Sequence, residues 1–207
     1  MEPGTAEDAE DREFGERFAE ALAQDYIARG ELDPVGKSRD EVLREAARVW
    51  LANPTDIDAG LRLDHEEVLL SEARRYAESP LHGDLAIMMY ATWLEHRLNL
   101  LLLIGGTARG VSEAAIRDQI KQLSVRNKTG ADFTKVFGRD LGNDLAGMIR
   151  TIADHRNEFV HYKWPIATMD SISDTRRPLL VMAERAVAEL DTFYRRHVLR
   201  GFGLDES

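Results

Sequence analysis

A chain of 207 residues with 43% apolar side chains can bury a core of its own, and the absence of cysteine excludes disulfides, thiol nucleophiles and Cys-ligated zinc. The formal charge of -10 is unevenly spread: residues 1–84 carry 22 Asp and Glu against 10 Lys and Arg, a net of -12, whereas residues 85–207 carry 15 against 17, a net of +2. The first part should repel a nucleic-acid backbone, while the second can approach one or is simply solvated by mixed charge.

Met1 to Glu13 lacks the basic and apolar segments of a secretory signal. The apolar run Leu100 to Ile104, with Leu98 before it, is too short for a bilayer. A soluble, cytoplasmic protein with no membrane partner is expected.

Residues 1–10 are small, polar and acidic and read as a disordered tail. Phe14, Phe18, Leu22 and Tyr26 recur at fours and predict an amphipathic helix over 11–29, ended by Gly30. Ser38 with Glu41 three residues on has the form of a capping box, opening a helix to about Ala52 with Val42, Ala46 and Val49 inward; Asn53-Pro54 stops it. A third helix is expected from about Asp64 to Glu78. Ser79-Pro80 then breaks the chain near the change in charge balance, which divides an acidic helical region, 11–79, from a second region, 80–207.

The second region opens with a long helix from Gly83 to Ile104, striped by Ile87, Ala91, Leu94, Leu98 and Leu101, with Gly105-Gly106 expected to terminate it. Ser112 is read as the N-cap of a helix to about Leu123, Arg126 to Gly130 as a basic polar turn, and Asp132 to Val136 as another short helical turn. A helix from about Asn143 follows. The last helix is expected from Pro178, in its first turn, to Leu199. No stretch alternates with period two, so the fold class is all-α, a helical bundle preceded by an additional acidic helical region.

Several apparent motifs fail on spacing. Gly30 and Gly36-Lys37-Ser38 are separated by five residues where a phosphate-binding loop requires four, and a helix precedes them instead of a strand. His65-Glu66-Glu67 lacks the second His of a metalloprotease helix, and Asp56 and Asp58 lack the remaining ligands of a calcium loop. No metal site and no cofactor is expected.

The helix from Asn143 carries the main chemical signal. On a wheel of about 100° per residue, Met148, Ile149, Ile152, Phe159 and Val160 lie within about 60° of Leu145, and Arg156 falls near the stripe's centre at about 20°. A guanidinium there loses water and keeps its proton, so an anion or a cleft must meet it. His161 follows five residues later, about 7.5 Å further along the axis, and Trp164-Pro165 is expected to end the helix.

Arg156-Asn157-Glu158-Phe159-Val160-His161 resembles the signature of the HEPN superfamily (higher eukaryotes and prokaryotes nucleotide-binding domain), in which an Arg, often followed by a polar residue, precedes a His with four to six residues between them. Arg150…His155 and Arg75…His82 share the bare spacing, but only Arg156 is followed by Asn, sits mid-stripe and has its His before a break. The helix around Tyr90 to Asn99 also resembles an early helix of that family, where an acidic residue such as Glu95 stands near the site. The resemblance covers about residues 80–200. It implies a HEPN-type bundle that forms a homodimer through the Arg156/His161 helix, and a metal-independent RNA endonuclease of toxin or antiphage-defence type, with room for an antitoxin or regulatory partner.

The residue types fit that chemistry. Cutting RNA without a metal needs a group titrating near neutrality at the 2′-hydroxyl or the leaving oxygen, which suits His161, and a fixed cation for phosphoryl charge, which suits Arg156. Asn157 would orient them, with Lys163, His155 and Glu95 as substrate contacts. Two other readings stay open. Arg156 can instead pair with Glu95 as a structural ion pair, and His161 can bind the last helix carbonyls. The domain would then be a non-catalytic nucleotide- or RNA-binding module, or a helical interaction protein whose acidic part meets a basic partner.

Overall fold

A computed structural model describes residues 6–52, 60–79, 81–161 and 169–199. Among these residues every element is a helix: α1 (Ala6–Ala28), α2 (Arg39–Ala52), α3 (Gly60–Ala77), α4 (Gly83–Thr107), α5 (Glu113–Gln122), α6 (Val125–Lys128), α7 (Ala131–Phe137), α8 (Asn143–Val160) and α9 (Met169–Tyr194), which runs on into a π-helical turn, Arg195–Leu199. The all-α expectation is met. None of these helices is long and apolar enough to cross a membrane.

α4 is the axis of the molecule. Ile87, Tyr90, Trp93, Leu94, Leu98, Leu101 and Leu102 are buried over about half of its circumference, a face wide enough to take several neighbouring helices. α3, α8 and α9 lie along it, and α5 and α7 cover its C-terminal half. One buried cluster runs from Phe18, Leu22 and Tyr26 of α1 through Trp50 and Ala73 to α4, Ile149 and Ile152 of α8, and Ala186 and Leu190 of α9. The acidic helices and the later bundle therefore share a core. α1 packs against α2, α4 and the π-turn.

Local chemistry explains the element ends that were expected. The Ser38 N–H and hydroxyl both donate to Glu41 Oε2 at 2.8 Å, and the Glu41 N–H donates back to Ser38 Oγ at 3.3 Å, which completes the capping box of α2. Before α8, Gly142 has φ +77, a conformation that suits glycine.

Four local expectations are corrected. Residues 6–10, read as tail, already belong to α1. Gly105-Gly106 does not terminate α4, which continues to Thr107. The two glycines are there for contact: a Cβ on Gly105 would stand 2.7 Å from Phe137 Cα and 2.9 Å from the Val136 carbonyl oxygen, and one on Gly106 would stand 2.5 Å from Ile116 Cδ1. They let α7 and α5 close onto α4. Pro178 lies inside α9, not in its first turn. Tertiary contact offsets its missing N–H, because Arg176 bonds Asp84 at the start of α4 and its Cδ lies 3.2 Å from where a Gly83 Cβ would be. Val160, placed inward by the wheel, is 51% exposed. Trp164-Pro165 lies outside the described residues; α8 ends at Val160 with His161 as its C-cap.

α9 is fixed to α4 by a cation between rings: the Arg97 guanidinium lies 5.0 Å from the Trp93 ring centroid and 4.9 Å from that of Tyr194. The Tyr90 hydroxyl reaches Glu184 of α9, which Arg74 of α3 also meets at 3.0 Å. These contacts set the frame in which α4 and α8 present their polar residues to each other.

Candidate functional site

The apolar stripe of α8 buries Leu145, Ile149 and Ile152 against the core and then reaches Arg156, the first position on that face where a charge replaces an aliphatic side chain. Arg156 Nη1 donates to Glu95 Oε2 of α4 at 2.8 Å. The other donors of the same guanidinium turn toward the neighbouring amide: Nε lies 3.3 Å and Nη2 3.2 Å from Asn157 Oδ1. One face of the fork is thus held by the carboxylate and the other by an exposed side chain.

The second oxygen of Glu95 is also occupied. Lys128 of α6 donates Nζ to Glu95 Oε1 at 2.8 Å, and its side chain is only 5% exposed, against 24% for Glu95 and 23% for Arg156. Burial by itself would raise the Glu95 carboxyl; the hydrogen bonds from Lys128 and then Arg156 outweigh it and hold the group below its ordinary 4.5. An ionised carboxylate between two cations leaves one net positive charge on the cluster.

The turn that delivers Lys128 is built by short-range bonds. Ser124 caps α6 by accepting from the Asn127 N–H, and Thr129 Oγ1 donates to the Val125 carbonyl at 2.9 Å. Arg150 of α8 then donates to Thr129 Oγ1 and to the Thr129 carbonyl, each at 2.9 Å, which ties the turn to the same helix that carries Arg156. Arg150, the start of the competing Arg…His spacing, thus serves this anchor.

Of the residues singled out from the sequence, the fold brings Glu95, Arg156 and Asn157 together. His161 stands exposed at the C-cap of α8, its backbone N–H donating to the Asn157 carbonyl at 3.1 Å. His155 goes elsewhere: its Nε2 is 3.5 Å from Oδ1 of the buried Asp84, whose other oxygen meets Arg176. Lys163 lies outside the described residues. Lys128 was missed, because nothing in a polar turn 33 positions after Glu95 marks its lysine as inward-facing.

Beside the cluster, along the same edge of α4, a cleft of about 640 Å³ separates α4 from α5. Asn99, one turn on from Glu95, lines it with His96, Leu103, Arg117 and Lys121. Among the described residues no three His, Cys, Asp or Glu side chains gather as they would around a metal ion.

The chain matches no family model, no curated protein and no solved structure.

Proposed function

We propose that the protein is a metal-independent RNA endonuclease of HEPN type. The observation that supports this reading is the cationic cluster on α8: Arg156, held by Glu95 at 2.8 Å and by Asn157, one and a half turns before an exposed imidazole at the helix end. A phosphodiester lying over the last turns of α8 would meet the guanidinium at its phosphoryl oxygens. His161 would exchange a proton with the 2′-hydroxyl or the leaving oxygen. Glu95 fixes the fork before substrate arrives, so little orientation is left to be lost on binding.

The test is cleavage of single-stranded RNA in EDTA by the wild type beside His161→Ala. Product from the wild type and a fall of at least about 100-fold in the variant are expected, the size usual for removing a general acid or base. Equal cleavage by both proteins, or cleavage only on adding metal, ends the proposal.

A second reading has its own support: Glu95 and Asn157 already engage Arg156 on two sides, as in a structural ion pair. A helical protein-interaction module follows from that, in which Arg156 supports the packing of α8 on α4 and Arg156→Ala changes no RNA binding.

A further inference from the structure

We infer that Lys128 is the charge-setting residue of this site: by neutralising Glu95 from the buried side, it leaves the charge of Arg156 for one phosphodiester anion. The inference rests on the proposed RNA site and adds a positioning residue to it.

The geometry gives the two cations different roles. Lys128 and Arg156 meet different oxygens of one carboxylate, both at 2.8 Å. Lys128 is buried, so no polymer can reach its ammonium, whereas Arg156 is about a quarter exposed and its remaining donors face the exposed Asn157. Without Lys128 the Glu95–Arg156 pair would be neutral and would offer an anion little attraction. With Lys128 present the carboxylate still orients the guanidinium, but its negative charge is matched from inside. One net positive charge suits the single negative charge of an internal phosphodiester.

This charge count fixes an order. The cluster is +1 in the wild type, 0 in Lys128→Met, +2 in Glu95→Gln and +1 again in the double variant. Affinity should fall in the order Glu95→Gln, then wild type and double variant together, then Lys128→Met. A purely structural role for the trio predicts the opposite for Glu95→Gln, which would then bind more weakly because Arg156 has lost its support.

The experiment measures binding of a single-stranded oligouridine RNA and of inorganic phosphate to the wild type, the three variants and Lys128→Arg, at several salt concentrations. Lys128→Arg keeps the charge and should bind as the wild type does. Each added positive charge should steepen the slope of log K against log salt by about 0.7 for single-stranded RNA. The stated order with both probes supports the inference. The same order with phosphate alone, and no RNA binding by the wild type, supports the charge assignment and sinks the RNA reading. Weaker binding by Glu95→Gln than by wild type, with its circular dichroism spectrum unchanged, overturns the inference, as does binding of neither probe. Should Lys128→Met fail to fold, the comparison of wild type with the near-isosteric Glu95→Gln still decides by its sign.

Discussion

Glu95 and Arg156, 61 residues apart in the chain, meet at 2.8 Å where α4 and α8 pack together, and the carboxylate's other oxygen is taken by a lysine that water scarcely reaches. Glu95 thus has two tasks, countering a buried charge and aiming an accessible one, and its replacement should affect stability and ligand affinity differently.

Glu95→Gln leaves Lys128 enclosed without its counter-charge. Breaking a fully buried pair costs about 3–5 kcal/mol. Because Glu95 keeps 24% of its exposure, a smaller loss of about 2 kcal/mol is expected. Arg156→Gln, which removes the more exposed partner and leaves Lys128 paired, should cost about 1 kcal/mol or less. Urea unfolding of both variants checks the order; equal losses would show that Lys128 does not depend on Glu95.

The same carboxyl sets an acid limit. Burial would raise the groups of both Glu95 and Glu184, but hydrogen bonds from Lys128 and Arg156 in one case, and from Arg74 and Tyr90 in the other, hold each below 4.5 in the folded protein. A group depressed in this way binds fewer protons folded than unfolded, so its contribution is complete above about 4.5 and is lost as pH falls through the lower folded value. The urea midpoint of the wild type should therefore drop as pH falls below about 4.5, and Glu95→Gln should show a shallower fall there. Parallel curves for the two proteins would refute the assignment.

Gly105→Ala should destabilise despite its better helix propensity. Its Cβ would meet backbone of α7 at 2.7 and 2.9 Å, and backbone can yield only by moving the whole helix. A net cost of about 1–3 kcal/mol is expected. Gly147→Ala in α8, where nothing lies within 4 Å of the added carbon, should instead gain up to about 1 kcal/mol. Thermal melts of the pair should move in opposite directions.

Tyr90→Phe removes the hydroxyl that donates to Glu184 and should cost about 1 kcal/mol while Arg74 keeps the carboxylate satisfied. Burial first, and then the bond to Glu184, pushes the Tyr90 phenol well above its ordinary 10.0. In a spectrophotometric titration the variant should lose the last tyrosine to ionise and retain the earlier ones.

Features decided within one helical turn were legible in the sequence. Ser38 and Glu41 form their capping box because both partners lie four residues from end to end, and the spacing of Leu145, Ile149 and Ile152 announces the buried face of α8. Features decided by a neighbouring helix were not. Gly105-Gly106 satisfies the local rule for a helix end, and only the approach of Phe137 and Ile116 shows why α4 continues through it. Pro178 satisfies the rule for a helix start, and only the Asp84–Arg176 contact shows what supports the turns before it. At the site, Glu95 was legible as one alternative partner of Arg156, whereas Lys128 depends on the path of the chain through α5 and α6.

The seat of α1 has a consequence for synthesis. Its buried face, with Phe18, Leu22 and Tyr26, rests partly on the π-turn that ends at Leu199, where Val198 is fully enclosed. A growing polypeptide can assemble α2 to α8 on the ribosome while α1 still lacks that support. Among the described helices, α1 is thus made well before the turn that completes its seat, and it is one of the last to settle.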